Sequence, residues 1–184
     1  MKVGQSFPQF ELQATVSKDP QAAFSTITQD SYPNQWKVYF FWPKDFTFVC
    51  PTELKAFDEL TEDFSDRDTV LIGGSIDSEF VHLAWRQNHD DLADLHYPML
   101  SDIKRELAAD LDIIDESGVM QRATYIVDPQ NIVRFSMVTD MNVGRNPKEV
   151  LRILDALQTD ELCPCNWQAG EKTLTQTLQT EKEA

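Results

Sequence analysis

The sequence predicts an α/β protein with a central mixed sheet that helices cover on both faces. Three observations support this prediction: buried, β-prone runs alternate with amphipathic helical segments, a β-hairpin follows them, and one more helix comes after the hairpin. The 184 residues suffice for one domain with a sizeable core and are too few for two comfortable ones. We expect one domain over residues 1–160 and a C-terminal tail over residues 161–184.

The first half of the chain carries two buried strands and three helices. Each strand is a continuous apolar run, which is typical of strands buried on both faces, and the first run stops at Pro43. The helices show apolar residues at helical spacing or a polar cap such as Ser78. In order, the predicted elements are a strand at 37–42, a helix at 52–65, a strand at 70–77, and helices at 78–88 and 101–111.

The second half carries a hairpin, a helix and a polar end. Two β-prone runs, 123–127 and 132–138, flank the turn-forming sequence Asp-Pro-Gln-Asn. A helix over 148–158 follows, with Asn146 as its N-cap. Residues 170–184 are polar and rich in Thr and Gln, so we expect them to be mobile.

The charge balance argues against nucleic-acid and membrane partners. Sixteen Lys and Arg against 31 Asp and Glu give a net charge of −15, and such a surface repels phosphate backbones and anionic lipid. No apolar run approaches the ~20 residues of a membrane-spanning helix, and the N-terminus shows no secretory signal. Three cysteines, an odd number, are atypical of a secreted disulfide scaffold. We therefore expect a cytoplasmic protein.

Cys50 stands where a predicted loop becomes a predicted helix. Pro51 follows it, and proline is favoured in the first helical position, so Cys50 is expected at or near the N-cap. There the sulfur faces unpaired backbone N–H groups and the positive end of the helix dipole, which favour the nucleophilic thiolate. The alternative is a buried structural cysteine, since cysteine is among the most often buried residue types.

The residues before Cys50 favour a reactive thiol. Pro43, Thr47 and Cys50 have the spacing Pro-x3-Thr-x2-Cys, and Thr47 can hold its hydroxyl beside the sulfur, one turn away. Pro43, Phe46 and Phe48 can shield the sulfur from water. An apolar wall with one hydroxyl and one thiolate suits a small polar oxidant.

This motif resembles that of the peroxiredoxins, in which Pro-x3-Thr-x2-Cys surrounds the peroxidatic cysteine. The resemblance covers roughly residues 3–175, includes residues 40–53 and the later Ser101-Asp102, and ends with a C-terminal Cys-Pro. It is strongest to the bacterial alkyl hydroperoxide reductase (AhpC) group of typical two-cysteine enzymes. It implies a thioredoxin-like fold and thiol-dependent reduction of hydrogen peroxide and organic hydroperoxides, and we expect no cofactor and no metal ion.

The same resemblance assigns supporting residues to Cys50. Arg122, at the start of the hairpin, matches a family arginine that keeps the sulfur ionised and donates to the peroxide. Glu53 matches a glutamate that holds an arginine, although a carboxylate three residues from Cys50 would by itself oppose ionisation. Without the resemblance Arg122 would be expected in solvent, and we expect Arg145 to be a surface residue at a helix entry.

Cys163 matches the family's resolving cysteine, whose thiol condenses with the sulfenic acid formed on the peroxidatic sulfur. In typical two-cysteine members this thiol comes from the other subunit, which implies a homodimer with two intersubunit disulfides. Dimers of this family commonly assemble into rings of five, sometimes six. A dithiol protein, either thioredoxin or a dedicated Cys-x-x-Cys reductase, would then reduce the disulfide.

Cys165 departs from the commonest pattern and resembles a subset of bacterial enzymes with an extra cysteine near the resolving one. It could replace Cys163, relay the disulfide to a reductase, or be a spare thiol. Zinc binding by the two cysteines is a further alternative, but no Cys or His pair with finger spacing accompanies them. We expect His82 and His89 at surface positions rather than beside Cys50.

Two other functions stay open. A general disulfide oxidoreductase of the same fold is disfavoured, because the sequence after Cys50 lacks the second cysteine of a Cys-x-x-Cys motif. The other is a ring-shaped holdase that binds unfolded proteins. Holdase activity would survive the loss of Cys50, whereas peroxidase activity would not.

Overall fold

The computed structural model describes the backbone of residues 1–183 and the side chains of residues 1–180. Three strands come first, helices and strands then follow each other along the middle of the chain, and only helices follow the last strand in the described residues. The elements are β1 (Glu11–Thr15), β2 (Phe24–Thr28), β3 (Trp36–Phe41), α1 (Cys50–Asp58), α2 (Thr61–Ser65), β4 (Thr69–Ser75), α3 (Glu79–Asn88), a 3-10 turn (Asp90–Leu92), β5 (Met99–Ser101), α4 (Glu106–Leu111), β6 (Arg122–Val127), β7 (Val133–Thr139), α5 (Pro147–Gln158) and α6 (Leu174–Glu183).

The predicted mixed sheet is confirmed. Its strands lie in the order β2-β1-β5-β4-β3-β6-β7. The central strand β4 pairs in parallel with β3 and β5, whereas the outer pairs are antiparallel. Parallel neighbours need a crossover connection, and α1 and α2 supply it between β3 and β4. The crossover therefore begins at the carboxyl end of β3, just before Cys50.

Side chains of β3 alternate between two cores, one on each face of the sheet. Tyr39 and Phe41 join a buried cluster that includes Leu107 of α4. Phe40, which points to the opposite face, stacks on Phe57 of α1 with the ring centroids 4.0 Å apart. Helices thus cover both faces, and α1 is fixed by its apolar side against the strand that leads into it.

Two predicted helices have different bounds in the structure. The helix expected over 52–65 is two helices, because the backbone at Leu60 (φ −106°, ψ 10°) leaves the α-helical region. The helix expected over 101–111 begins only at Glu106, after the end of β5. Asp102 explains this start, since its buried carboxylate accepts the backbone N–H groups of Leu107 and Ala108 and so caps α4 from outside the helix.

The edge strands β1 and β2 are absent from the sequence-based prediction. They pair with each other in antiparallel fashion, with Glu11 opposite Thr28 and Thr15 opposite Phe24. Both are short and carry polar side chains on an exposed face. They lack the continuous apolar run that identified β3 and β4, and sheet pairing rather than sequence pattern makes them strands.

The described residues form two compact units, Met1–Pro147 and Lys148–Ala184. The first contains the whole sheet, and the second contains most of α5 together with α6. Part of the segment expected to be mobile, from residue 170 onward, is therefore helical, because α6 occupies Leu174–Glu183. Within residues 1–183, no helix is long and apolar enough to cross a bilayer.

The sheet centre is packed too tightly to accept a methyl group at Gly73. A Cβ there would lie 2.8 Å from the Trp42 ring and 3.1 Å from the Phe40 ring. We expect Gly73→Ala to lower the free energy of unfolding by about 1–3 kcal/mol, since overpacking forces ring and backbone shifts. Urea unfolding followed by circular dichroism measures this loss.

Gly144→Ala is the matched control, because its Cβ would meet Val49 at an ordinary 3.6 Å. Equal unfolding free energies for the Gly73→Ala protein and the wild type would contradict the packing argument.

Candidate active site

Cys50 is the first residue of α1, so it lies next to the N-cap, in agreement with the expected position at or near the cap. Val49 occupies the N-cap, and Pro51 is the second helical residue. The Cys50 side chain is fully buried. Its sulfur therefore lies at the amino end of a helix, where the dipole favours a negative charge, and away from bulk solvent.

Thr47 places its hydroxyl beside the Cys50 sulfur. The Oγ1 atom lies 2.9 Å from the sulfur and 3.1 Å from the backbone carbonyl oxygen of Lys44. One hydroxyl hydrogen serves one acceptor at a time. A thiolate is the stronger acceptor, so ionisation of Cys50 turns the hydroxyl toward the sulfur.

Arg122 supplies a cation to the same sulfur. It is the first residue of β6, and its Nη1 lies 3.4 Å from the Cys50 sulfur. Its Nε donates to the carbonyl oxygen of Met141 at 2.8 Å, and Nη1 also donates to Glu53. These contacts orient a buried guanidinium, rather than the solvated arginine that the strand end alone would suggest.

Glu53 is held by two arginines. Arg145 donates to it from Nε at 2.7 Å, from its backbone N–H at 2.8 Å and from Nη2 at 3.1 Å, and Arg122 is the second partner. Burial alone would raise the pKa of Glu53, but the hydrogen bonds and charge of Arg145, with the charge of Arg122, outweigh it and lower that pKa. The carboxylate is therefore ionised at neutral pH.

The expectation that Arg145 lies at the surface is wrong. Its side chain is buried, and the guanidinium carbon lies 5.8 Å from the ring centroids of both Phe40 and Phe57. Its Nη1 also donates to the carbonyl oxygen of Ala123 at 2.8 Å. Sequence reasoning missed this role because Arg145 and Glu53 are 92 residues apart in the chain.

The charged side chains paired beside Cys50 carry one net positive charge. Glu53 contributes one negative charge, and Arg122 and Arg145 contribute two positive charges. A neutral thiol leaves one buried positive charge uncompensated, which is costly. A negative charge at the Cys50 sulfur would compensate this excess.

Asp45 fixes the loop that precedes Thr47. Its carboxylate accepts the Trp42 indole N–H at 2.8 Å and lies 2.6 Å from Nδ1 of His82. His82 is fully buried, so its predicted surface position is wrong. Pro43 is buried in the same loop. The start of the motif is therefore anchored to the protein core.

Phe46 and Phe48 do not form the predicted shield. Phe48 is 96% exposed and Phe46 is 58% exposed. Phe46 has a left-handed backbone conformation (φ 56°), which is uncommon outside glycine. The Cys50 sulfur is fully buried although both rings of the preceding loop are exposed to solvent.

The other two cysteines lie in the compact unit Lys148–Ala184. Cys163 is half-buried and Cys165 is exposed, and both line one surface depression. Among residues 1–180, whose side chains the structure describes, no group of three or more His, Cys, Asp or Glu side chains is arranged to hold a metal ion.

A mixed sheet covered by helices, with a buried cysteine between a hydroxyl and a guanidinium, defines a thioredoxin-like protein of the peroxiredoxin class, a thiol-dependent peroxidase. A family profile described as the AhpC/TSA family matches residues 3–136. The chain belongs to this family. A second profile, the C-terminal domain of 1-Cys peroxiredoxin, matches residues 157–184.

Individual relatives agree over most of the chain. Alkyl hydroperoxide reductase C of Mycolicibacterium smegmatis is 51% identical over 182 residues, covering 95% of this chain and 93% of that protein. Among solved structures, Mycobacterium tuberculosis AhpC is 51% identical, with a TM-score of 0.84 over 91% of this chain and 99% of the other. The reduced 2-Cys peroxiredoxin of Plasmodium vivax has a TM-score of 0.87 at 32% identity, over 94% and 92% of the two chains.

Removing the charge of Glu53 should destabilise the protein in a pH-dependent way. Its folded-state pKa lies below the usual 4.5, so its contribution to stability is present above that value and is lost as the pH falls through the lower pKa. We expect Glu53→Gln to lower the free energy of unfolding by about 3 kcal/mol at pH 7, since it leaves two buried cations unpaired. The difference in unfolding free energy between Glu53→Gln and the wild type should become smaller below pH 4.5.

Urea titrations across this pH range measure the effect. Asp94→Asn is the control, because it breaks an exposed ion pair with Lys18 and should change nothing measurable. If both variants behave alike, the Glu53 cluster does not stabilise the fold.

Proposed function

We propose that Cys50 is the peroxidatic cysteine of this peroxiredoxin and that it reduces hydrogen peroxide and small organic hydroperoxides. One observation carries the proposal: the Thr47 hydroxyl and the Arg122 guanidinium both lie within hydrogen-bonding distance of the Cys50 sulfur. A structural cysteine needs neither group. A nucleophilic sulfur benefits from both, because they favour its thiolate form.

The same two donors serve the peroxide bond that breaks. The Cys50 thiolate attacks one oxygen, the S–O bond forms, and the O–O bond breaks with its electron pair moving to the leaving oxygen. That oxygen takes up a proton and departs as water or an alcohol, and Cys50 is left as a sulfenic acid. Arg122 and Thr47 are placed to donate to oxygens held beside the sulfur, where they stabilise the developing charge.

Cys163 is proposed as the resolving thiol, carried by a C-terminal tail over residues 161–184 of the partner subunit. Its sulfur forms an S–S bond with Cys50, the S–O bond of the sulfenic acid breaks, and water leaves. A dithiol protein, thioredoxin or a dedicated Cys-x-x-Cys reductase, then reduces the disulfide and becomes oxidised itself. Support comes from the position of Cys163 before a proline and from relatives named 2-cysteine peroxiredoxins.

This mechanism requires a homodimer, and we propose that dimers assemble into a ring of five or six. A reducing compartment, the cytoplasm, suits an enzyme whose catalytic cysteines start as thiols. All three cysteines of the chain are free in the structure.

Peroxide consumption by the fully reduced protein tests the assignment of Cys50. We expect the wild type to react far faster than free cysteine, and Cys50→Ser to react no faster than free cysteine, because the remaining thiols lack the Thr47–Arg122 site. Stopped-flow measurement with one equivalent of hydrogen peroxide gives both rates. Equal, slow rates for the two proteins would show that Cys50 is not an activated nucleophile.

Thr47 offers a finer test, because its hydroxyl can be removed or kept. We expect Thr47→Val to slow the reaction of Cys50 with hydrogen peroxide by about 10²-fold, the cost of losing one donor to a developing oxyanion. Thr47→Ser keeps the hydroxyl and should stay within about threefold of wild type. Val and Ser variants with the same rate would exclude a role for the hydroxyl.

The exposed rings of Phe46 and Phe48 favour a second candidate, a holdase. Exposed apolar surface binds unfolded chains, and such binding does not need a thiol. Suppression of client aggregation that persists in Cys50→Ser and is lost in Phe48→Ser would support this function. A general disulfide oxidoreductase stays disfavoured, since Cys50-Pro-Thr-Glu has no second cysteine.

A further inference from the structure

The compact unit Lys148–Ala184 repeats, around Cys163, part of the arrangement found around Cys50. The Thr159 hydroxyl lies 3.4 Å from the Cys163 sulfur and 2.8 Å from the carbonyl oxygen of Ala156. At the first site the Thr47 hydroxyl likewise lies between a sulfur and the carbonyl oxygen three residues before it. In both places one hydroxyl hydrogen has a choice between a backbone oxygen and a sulfur.

The hydrogen bonds around Thr159 fit a neutral thiol and a thiolate equally well. Its oxygen accepts the backbone N–H of Glu161 at 3.1 Å, which fixes its position. With a neutral thiol, the hydroxyl donates to Ala156, and the S–H of Cys163 donates either to the Thr159 oxygen or to the carbonyl oxygen of Ala156, 3.8 Å from the sulfur. When Cys163 loses its proton, the hydroxyl rotates and donates to the sulfur, as a charged acceptor demands.

Arg152 holds this segment in place and adds positive charge. Its Nη1 donates to the carbonyl oxygen of Trp167 at 3.0 Å, and its Nε and Nη2 donate to Glu149 at 2.7 and 2.8 Å. It lines the same surface depression as Cys163 and Cys165. The Glu149 hydrogen bonds raise the pKa of Arg152 against the opposing effect of burial, and the charges of Glu149 and the two nearby cysteines raise it further.

We propose that Thr159 activates Cys163 by hydrogen bonding to its thiolate, and that this contact makes Cys163, rather than Cys165, the thiol that attacks the Cys50 sulfenic acid. Arg152 is a positioning residue for the same turn. The proposal rests on the function proposed above. It extends that function by naming the group that selects one of two cysteines separated by a single residue.

The selection follows from the chemistry of the step. The attacking sulfur must be a thiolate, the new S–S bond forms as the S–O bond breaks, and the departing hydroxide takes a proton to become water. During later reduction, Cys163 leaves as a thiolate, and the same hydroxyl stabilises it. The Cys165 sulfur is exposed to water, whereas the Cys163 sulfur has the Thr159 hydroxyl 3.4 Å away, and this contact is the basis of the proposed selection.

Alkylation tests the proposal without any peroxide. Iodoacetamide is added at pH 7 to the full chain carrying Cys50→Ser, and peptide mass spectrometry follows Cys163 and Cys165 in the same molecules. We expect Thr159→Val to slow Cys163 alkylation roughly fivefold or more, the loss expected for one hydrogen bond to a charged group. The alkylation rate of Cys165 should change by no more than about twofold. Thr159→Ser should restore the alkylation rate of Cys163.

The ratio of the two rates separates activation from a structural role, since local unfolding would expose Cys163 and speed its reaction. Thermal unfolding of the Val and Ser variants confirms that both fold. The proposal would be overturned if Thr159→Val left the ratio of the Cys163 and Cys165 alkylation rates unchanged. It would also be overturned if Thr159→Ser slowed Cys163 alkylation as much as Thr159→Val does.

A second measurement uses all three cysteines and one equivalent of hydrogen peroxide. We expect Thr159→Val to consume peroxide at the wild-type rate but to form the Cys50–Cys163 disulfide roughly fivefold more slowly, so that the Cys50 sulfenic acid persists longer. Disulfide formation at the wild-type rate would refute a role in resolution. If the wild type itself fails to consume peroxide, the proposed function is wrong, and the alkylation ratio still decides whether Thr159 activates Cys163.

Discussion

The chemistry of this protein depends on the buried Glu53 carboxylate and the two arginines that bind it. Without Glu53, Arg122 and Arg145 would be two adjacent buried cations, which is unfavourable. With it, the cluster lacks one negative charge, and in the proposed mechanism the Cys50 thiolate supplies that charge. A carboxylate that would oppose ionisation as a lone neighbour therefore favours it, because it allows two cations to be buried beside the sulfur.

The fold brings these groups together from distant parts of the chain. Cys50 and Glu53 lie in the first turn of α1, Arg122 begins β6, and Arg145 lies just before α5. β3 leads into α1 and pairs with β6. This pairing brings the start of α1 close to β6, the strand that begins with Arg122. The stacked rings of Phe40 and Phe57 then fix α1 against β3. Sheet register, rather than local sequence, sets the distance between sulfur and guanidinium.

The difference between contacts set by local sequence and contacts set by sheet register explains what could be predicted from the sequence. Thr47 and Cys50 are three residues apart, so their spacing alone predicts a hydroxyl beside a thiol. The continuous apolar runs of β3 and β4 likewise predict buried strands from local sequence. The role of Arg122 was predicted only from the family resemblance. The position of Arg145 was predicted wrongly, because its contact with Glu53 spans 92 residues. The prediction that Phe48 shields the sulfur was wrong, because the apolar character of a side chain does not determine which way it points from a loop.

The burial of Cys50 sets a requirement on the proposed cycle. A disulfide needs two sulfurs about 2 Å apart, and a fully buried sulfur admits no second thiol. The first turn of α1 must therefore open, which breaks the contacts of the sulfur with Thr47 and Arg122. The rest of the helix has its own anchor, since the Tyr97 hydroxyl donates to the carbonyl oxygen of Leu54 at 2.7 Å. Opening can thus stop before Leu54. In the proposed cycle, the contacts with Thr47 and Arg122 that activate the sulfur are the ones lost when it leaves the pocket as a sulfenic acid.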